Sequence, residues 1–454
     1  MEDYSTRHSA RASLAAIGLH MRQIEVWQTI DKHVQISQKV IEHTPSDKLK
    51  DAFINILAGG HGLIEVNNRV RPDEALQRAF GRKSCADQST ISDTLNLCTE
   101  ETVEQLRQAV QELYRAHSRG YRHNYQQGLQ ALDVDMTGMP AGRQGEGVTK
   151  GFFAGKKNRR GRQLGRVTAT LYDEIVVDRL YQGKIQLERS LQELITSAEQ
   201  VLALDQGCRR CTIIRSDGGG GRDADINWLL KRHFLIMVKV KNWQRARKLA
   251  HSVQTWYLDP KTGDREVGWV EEPHAYERAT RQLALRMRKK DGDWHYRVLV
   301  FNLSDAQLFW LARQDRPHAP SSTQIMLAAL YAYDLRGGGV ETSIKGSKQG
   351  LGLTKRNKKR FAAQEMLVLL AQLAYNLIIW TRNLLARHTP KLRSFGLLRM
   401  IRDVFQIMGR LKFDAQNQVR EITLNQAHLY ALPVVLALSS PLAQDDMSLN
   451  LGQI

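Results

Sequence analysis

Residues 213 to 230 read IIRSDGGGGRDADINWLL: a short apolar run stops at an aspartate, crosses four consecutive glycines and enters an amphipathic segment. This order narrows the choice of fold sharply. It requires a strand whose carboxyl end opens on a tight turn that leads directly into a helix. Cys211 to Ile214 are apolar and β-branched, as a buried strand requires. Gly218 to Gly221 can take backbone conformations closed to other residues and leave room for a bulky group to come close. Asp223 and Asp225 suit the first turn of a helix, and Ile226, Leu229, Leu230 and Phe234 then recur at helical spacing. Asp217 is thereby placed at the carboxyl end of a strand.

Two common phosphate-binding patterns do not fit. A Walker-type loop places Gly-Lys-Ser/Thr after its glycines, where this chain has Arg222-Asp223, and a dinucleotide fingerprint needs glycine at position 223. An aspartate facing a phosphate is repulsive unless a cation lies between them. Asp217 is therefore either a solvated residue of a glycine-rich turn or a ligand of a divalent metal approached by a polyphosphate backbone.

The charge balance points to a polyanionic partner. The 454 residues carry 66 Lys and Arg against 47 Asp and Glu, a formal net charge of +19. An excess of this size is most often matched to nucleic acid. It is concentrated in two runs. Residues 143 to 166 hold eight basic residues (Arg143, Lys150, Lys156, Lys157, Arg159, Arg160, Arg162 and Arg166) against Glu146 alone. Residues 345 to 360 hold seven (Lys345, Lys348, Lys355, Arg356, Lys358, Lys359 and Arg360) and no acid. One such run is commonly a solvated face; two flanking the same candidate chemistry favour a binding role.

The four cysteines (Cys85, Cys98, Cys208, Cys211) include one Cys-x-x-Cys without a second pair, so they read as structural or incidental thiols in a reducing cytoplasm. The N-terminal MEDYSTRHSARASL lacks the apolar core of a signal peptide. Met366 to Trp380 is interrupted by Gln372 and Asn376 and reads as a buried helix rather than a membrane span.

Along the chain, residues 1–125 read as helical, with a capped helix at Gln88–Leu95 that only weakly suggests a helix-turn-helix. A strand at 129–137 places Leu132, Val134 and Met136 on one face and Asp133 and Asp135 on the other. Two further strand-like runs, a helix at 186–203, the opening strand with its glycines and helix, and a strand at 234–240 follow. A β-rich insertion with Trp256, Trp269 and Trp294 occupies 245–325, and helices continue to the end. The order predicts an α/β, ribonuclease-H-like catalytic core, a mixed sheet with helices, interrupted by the β-rich insertion and flanked by helical N-terminal and C-terminal regions. The expected segments are 1–125, 126–244, 245–325, 326–390 and 391–454.

Two-metal phosphoryl chemistry needs a third carboxylate, usually from a helix. Residues 331–352, YAYDLRGGGVETSIKGSKQGLG, supply one in Glu341, with Tyr333, Arg336 and Lys348 around it. This segment resembles the Tyr-x2-Arg-x3-Glu-x6-Lys signature of bacterial insertion-sequence DDE transposases with a β-strand insertion. It departs by one extra residue between Arg336 and Glu341, within Gly337-Gly338-Gly339, where a bulge would absorb it. Ile344-Lys345, Gly350-Leu351, Arg360 to Gln364 and Ala374 to Leu377 are similar to the family's last core helix, and Asp135-Met136-Thr137 matches its Asp-x-Thr. The resemblance spans roughly residues 45–410.

The resemblance implies binding of a mobile element's terminal inverted repeats, cleavage there and joining to target DNA. It also implies a homodimer that pairs two ends, working in the bacterial cytoplasm on the nucleoid and not on a membrane. Asp135, Asp217 and Glu341 would chelate two Mg²⁺ ions about 3.5–4 Å apart, with Mn²⁺ a substitute. Tyr333 and Arg336 would position a phosphate, while Lys345, Lys348, Lys156, Lys157, Arg159 and Arg160 would hold DNA. Trp269 or Trp294, or Trp256, would stack on a flipped base or belong to the core of the insertion. Asp133 rivals Asp135 because they share a face, and Glu365 rivals Glu341. Two other readings stay open: a catalytically inactive DNA-binding derivative or repressor, and another metal nuclease of the same fold.

Overall fold

The computed structural model describes residues 5–153, 159–288 and 292–454. These form two compact units, each built from separated stretches of chain. Unit two comprises 119–139 and 149–343; unit one comprises 1–118, 140–148 and 344–454.

Unit two is built on one mixed sheet. Its central strands are β1 (Gln130–Pro140), β2 (Arg160–Ala169), β3 (Glu174–Gln182), β4 (Thr212–Ser216) and β5 (Leu235–Lys239). Their spatial order is β3-β2-β1-β4-β5, with β1, β4 and β5 parallel and β2 antiparallel to β3. That is the ribonuclease-H-like arrangement. All five residues of β4 are buried, as expected of a parallel strand covered on both faces.

Helices α1 (Leu187–Leu202) and α2 (Asp223–Lys231) follow β3 and β4. The insertion extends the same sheet: β6 (Arg265–Trp269), β7 (Arg281–Arg288) and β8 (Trp294–Phe301) form antiparallel pairs, and β8 pairs with β5. Helix α3 (Ser322–Arg336) packs Ala328, Ala329, Ala332 and Tyr333 against a core that includes Ala131, Ile213, Met237 and Phe301. Small residues on this helix let it lie close to the strands.

Unit one is mainly helical. Its central helix, Phe361–Leu385, is long and apolar enough to cross a membrane by composition, yet its side chains are almost all buried in the unit. The N-terminal and C-terminal regions are not purely helical, which corrects the expectation. Ser5–Ser9, Gly409–Phe413, Val419–Asn425 and Ser448–Gly452 form a four-stranded sheet. These strands are short, and Ser5–Ser9 has little apolar character of its own. It is a strand because its backbone pairs with Gly409–Phe413, some four hundred residues away in sequence, a partner that local periodicity cannot reveal.

Candidate active site

The site lies within unit two, where β1, β4 and the end of α3 meet. Strand β1 carries Asp133 and Asp135 on one face, and the structure separates their roles. Asp133 is fully buried and takes a bidentate pair from Arg215, Nε to Oδ1 at 2.6 Å and Nη2 to Oδ2 at 2.8 Å. Its Oδ2 also accepts from the Thr170 hydroxyl at 2.6 Å. Asp135, one step further along the strand, keeps 18% of its side chain exposed. Asp133 is thus occupied inside the protein, while Asp135 reaches the surface of the sheet.

Strand β4 ends at Asp217, whose Oδ1 accepts from the Gly219 amide at 2.8 Å and caps a short 3-10 turn, Gly218–Gly220. The glycines do something other than leave the backbone open. A side chain on Gly221 would run into the Lys239 carbonyl of β5, and the Gly221 carbonyl accepts from Lys241. A Cβ on Gly220 would lie 2.5 Å from the Ser216 hydroxyl. The run therefore lets the turn fold tightly onto neighbouring strands and fixes Asp217 just beyond the carboxyl end of β4. Asp223 and Asp225 sit in the first turn of α2, and Asp225 pairs with Arg222 at 2.8 Å.

Helix α3 passes at Arg336 into a π-helical turn, Gly337–Glu341, and then an α-helix, Thr342–Gly350. A π-turn holds about one residue more than an α-turn. The additional residue between Arg336 and Glu341 is accommodated there. Glu341 projects with 58% of its side chain exposed.

Arg336 ties the site together. Its guanidinium lies 3.2 Å from Asp135 Oδ2 and 3.0 Å from Glu341 Oε1, and it donates to the Val134 carbonyl. Burial opposes its charge, yet Asp135 foremost among its neighbours raises its pKa above the ordinary value. Burial lifts Asp135 to about 6; Arg336 pulls against this, and the charges of Asp217 and Glu341 push with it. The three acids therefore feel one another, and the site has drawn in the nearest cation.

No three His, Cys, Asp or Glu side chains among the described residues already meet as ligands of one ion. The donor set still suits a hard divalent cation: mutually repelling carboxylates, with a guanidinium bridging two of them. The Arg336 Nε, buried, finds no acceptor.

The other expected site residues have diverse surroundings. Tyr333 is buried and donates to the Ser216 carbonyl at 3.2 Å, beneath Asp217, with the Lys239 ammonium 4.5 Å from its ring centre. Both Tyr333 and Arg336 are engaged inside the unit rather than presented to a phosphate. Trp269 donates to the Ser322 hydroxyl at 2.7 Å and anchors the insertion to the start of α3. Trp256 and Trp294 flank the Arg286 guanidinium at 4.3 and 4.4 Å, and Arg286 pairs with Glu266. Lys156 and Lys157 lie outside the described residues, Arg159 is exposed and Arg160 is half-buried. Lys345 is exposed and Lys348 half-buried, both on Thr342–Gly350 in unit one. Glu365, the rival acid, is nearly buried in unit one and pairs with Arg107 at 2.6 Å.

Several charges in the basic runs are buried or already bonded within the protein. Arg162 and Arg166 are buried, and Arg166 forms a bidentate pair with Asp178 at 2.7 and 2.6 Å. Lys358 donates to Ser92 at 2.6 Å, Arg360 bonds the Asn96 carbonyl, and Arg356 is buried against Gly60. Sequence reasoning missed Arg215. The available signal was an arginine inside an otherwise buried strand, which demands a partner.

Comparison with known proteins adds the following. A family described as transposase DDE domain group 1 matches residues 8–431. No curated protein matches the chain. Among solved structures, a cryo-EM structure of the piggyBac transposase synaptic complex with hairpin DNA is similar, with a TM-score of 0.47 and 11% identity over 87% of this chain and 80% of that one.

Proposed function

The chain belongs to the DDE-domain transposases of group 1, and from that premise we propose that it cuts DNA at the terminal inverted repeats of a mobile element and joins those ends to a target. The observation that carries this reading is that the Arg336 guanidinium lies 3.2 Å from Asp135 and 3.0 Å from Glu341 and feels the charge of Asp217, so one cation answers acids from two parallel strands and the turn after α3. Asp135, Asp217 and Glu341 would hold the divalent ions, Mg²⁺ or Mn²⁺. When bound, such ions polarise the scissile phosphate and make water or a 3′-hydroxyl a better nucleophile.

The chain's own residues account for the rest. Asp135 is a half-buried carboxylate whose negative charge burial makes costly and Arg336 offsets only in part. Arg336 supplies a guanidinium in the absence of metal and keeps Asp135 and Glu341 from repelling each other. Tyr333, locked to the Ser216 carbonyl, sets the height of the helix against β4. The exposed cations Arg143, Lys150, Arg159, Lys345 and Lys355 would meet backbone phosphates, so DNA affinity should fall steeply with salt. Two ends must be brought together, which a homodimer on the bacterial nucleoid would do.

The test uses DNA carrying the inverted repeat that flanks the gene, with Mg²⁺ and a supercoiled target. Nicking at the repeat boundary followed by joined products supports the reading. Binding without cutting identifies a DNA-binding derivative, and cutting without joining identifies a nuclease of the same fold.

A further inference from the structure

Asp135 and Asp217 stand on a second layer of charge. Asp133 and Arg215 are directly opposite each other in the parallel pairing of β1 and β4, followed by Val134 opposite Ser216. One step further, the two strands reach Asp135 and Asp217. Because side chains alternate along a strand, Asp133 and Asp135 share a face, as do Arg215 and Asp217. The buried ion pair is therefore the preceding rung on the face that carries the two acids. Its exposure is 0% and 1% on the two sides, and both hydrogen bonds are at normal length.

The same rung touches every other part that carries the site. The Arg215 Nη1 donates to the Ala332 carbonyl of α3 at 2.6 Å, and the next residue, Tyr333, donates to the carbonyl of Ser216, the residue after Arg215. Helix and strand are thus joined at two successive positions on each. The Asp133 Oδ2 accepts from Thr170, in the connection between β2 and β3. Gly339 of the π-turn lies so close that a Cβ there would be 2.6 Å from Asp133 Oδ2 and 2.5 Å from Thr170 Cγ2. Glu341 follows two residues later. One carboxylate thereby bears on β1, β4, the β2–β3 connection and the π-turn.

Burying an arginine and an aspartate carries a desolvation penalty that apolar residues of the same size would avoid, so stability alone is a poor reason for the pair. A planar, bidentate pair does supply directional register that apolar packing lacks. Resting on the transposase reading above, we infer that Asp133 and Arg215, with Thr170, are positioning residues that set the spacing of Asp135, Asp217 and Glu341 for divalent metal.

The test is calorimetric titration of the DNA-free protein with Mn²⁺, paired with the Mg²⁺ and Mn²⁺ dependence of end cleavage and with end-DNA binding. Asp133→Asn keeps the shape and removes the charge. Arg215→Lys keeps the charge and loses the fork. Thr170→Val removes a single hydrogen bond at nearly constant volume. Removing groups that orient metal ligands typically weakens metal binding by about 10–100-fold. The expected result is a half-saturating Mn²⁺ concentration raised about tenfold in Asp133→Asn and Arg215→Lys and a few-fold in Thr170→Val. End-DNA binding should stay unchanged, and raised Mn²⁺ should restore cleavage.

A purely structural pair would lower the folded fraction and leave the metal half-saturation of folded molecules where it was, which overturns the inference. If Asp133→Asn and Arg215→Lys fail to fold, Thr170→Val decides: an unmoved half-saturation overturns the inference. A wild-type protein without Mn²⁺ binding that Glu341→Gln abolishes overturns the metal site and the positioning role together. A wild-type site that none of the three variants moves overturns the positioning role alone.

Discussion

Three adjacent glycines in the π-turn should respond in opposite directions to the same substitution. None of them adopts a left-handed backbone, so alanine is sterically allowed by the chain at all three. A Cβ on Gly338 meets nothing within 4 Å, and one on Gly337 meets only the Glu341 Oε2 at 3.8 Å. Replacing glycine by alanine in a helical segment stabilises by about 0.5–1 kcal/mol, mainly by restricting the unfolded chain. Gly337→Ala and Gly338→Ala should gain on that order. A Cβ on Gly339 would fall 2.5 Å from Thr170 Cγ2 and 2.6 Å from Asp133 Oδ2, both held in buried contacts and unable to swing away. Overpacking of this kind costs about 1–3 kcal/mol, which outweighs the helical gain. Gly339→Ala should therefore be destabilised by about 1–2 kcal/mol and should lose end cleavage, because Glu341 is displaced with the turn. Urea denaturation monitored by tryptophan fluorescence, with cleavage measured on the same preparations, reads both effects. A Gly339→Ala protein as stable and active as Gly338→Ala would refute the packing of the π-turn on Asp133.

Two further outcomes follow from buried charge. Burial, with Asp217 and Glu341 adding to it, raises Asp135 from 3.8 to about 6, so in this range the folded protein holds a proton that the unfolded chain has released. Metal-free stability should then fall as pH rises from 3.8 towards 6 and stay level above that. Asp135→Asn removes the effect: in EDTA it should exceed the wild type by up to about 3 kcal/mol at pH 7 and match it near pH 4, whereas a difference independent of pH contradicts the assignment. Arg356, drawn down to about 9 by burial, donates to the Gly60 carbonyl and pairs with no carboxylate among the described residues. Arg356→Met should be neutral or stabilising by about 1–3 kcal/mol in urea denaturation, and a loss of more than about 1 kcal/mol would contradict that reading.

Much of the core was legible because its signals are local. The alternation at 130–136, the strand ending at Asp217 and the helical spacing after Asp223 each depend on a few neighbouring residues. The Arg336–Glu341 spacing exposed the extra residue, and the glycines told where it would be taken up. Distinguishing Asp133 from Asp135 required knowing that Arg215, distant in sequence, lies opposite Asp133. The charge runs could not reveal that Arg166 faces Asp178 in the core or that Arg356 is buried. The strand Ser5–Ser9 was hidden for the same reason: its partner, Gly409–Phe413, is at the far end of the chain. What escapes the sequence here is long-range pairing, above all the pairing of buried charges.

The most direct test compares wild type with Glu341→Gln on the element's own end in Mg²⁺, scoring binding and nicking together. Both proteins should bind the end, and only the wild type should cut it. Normal cutting by Glu341→Gln, or binding without cutting by both proteins, would contradict this.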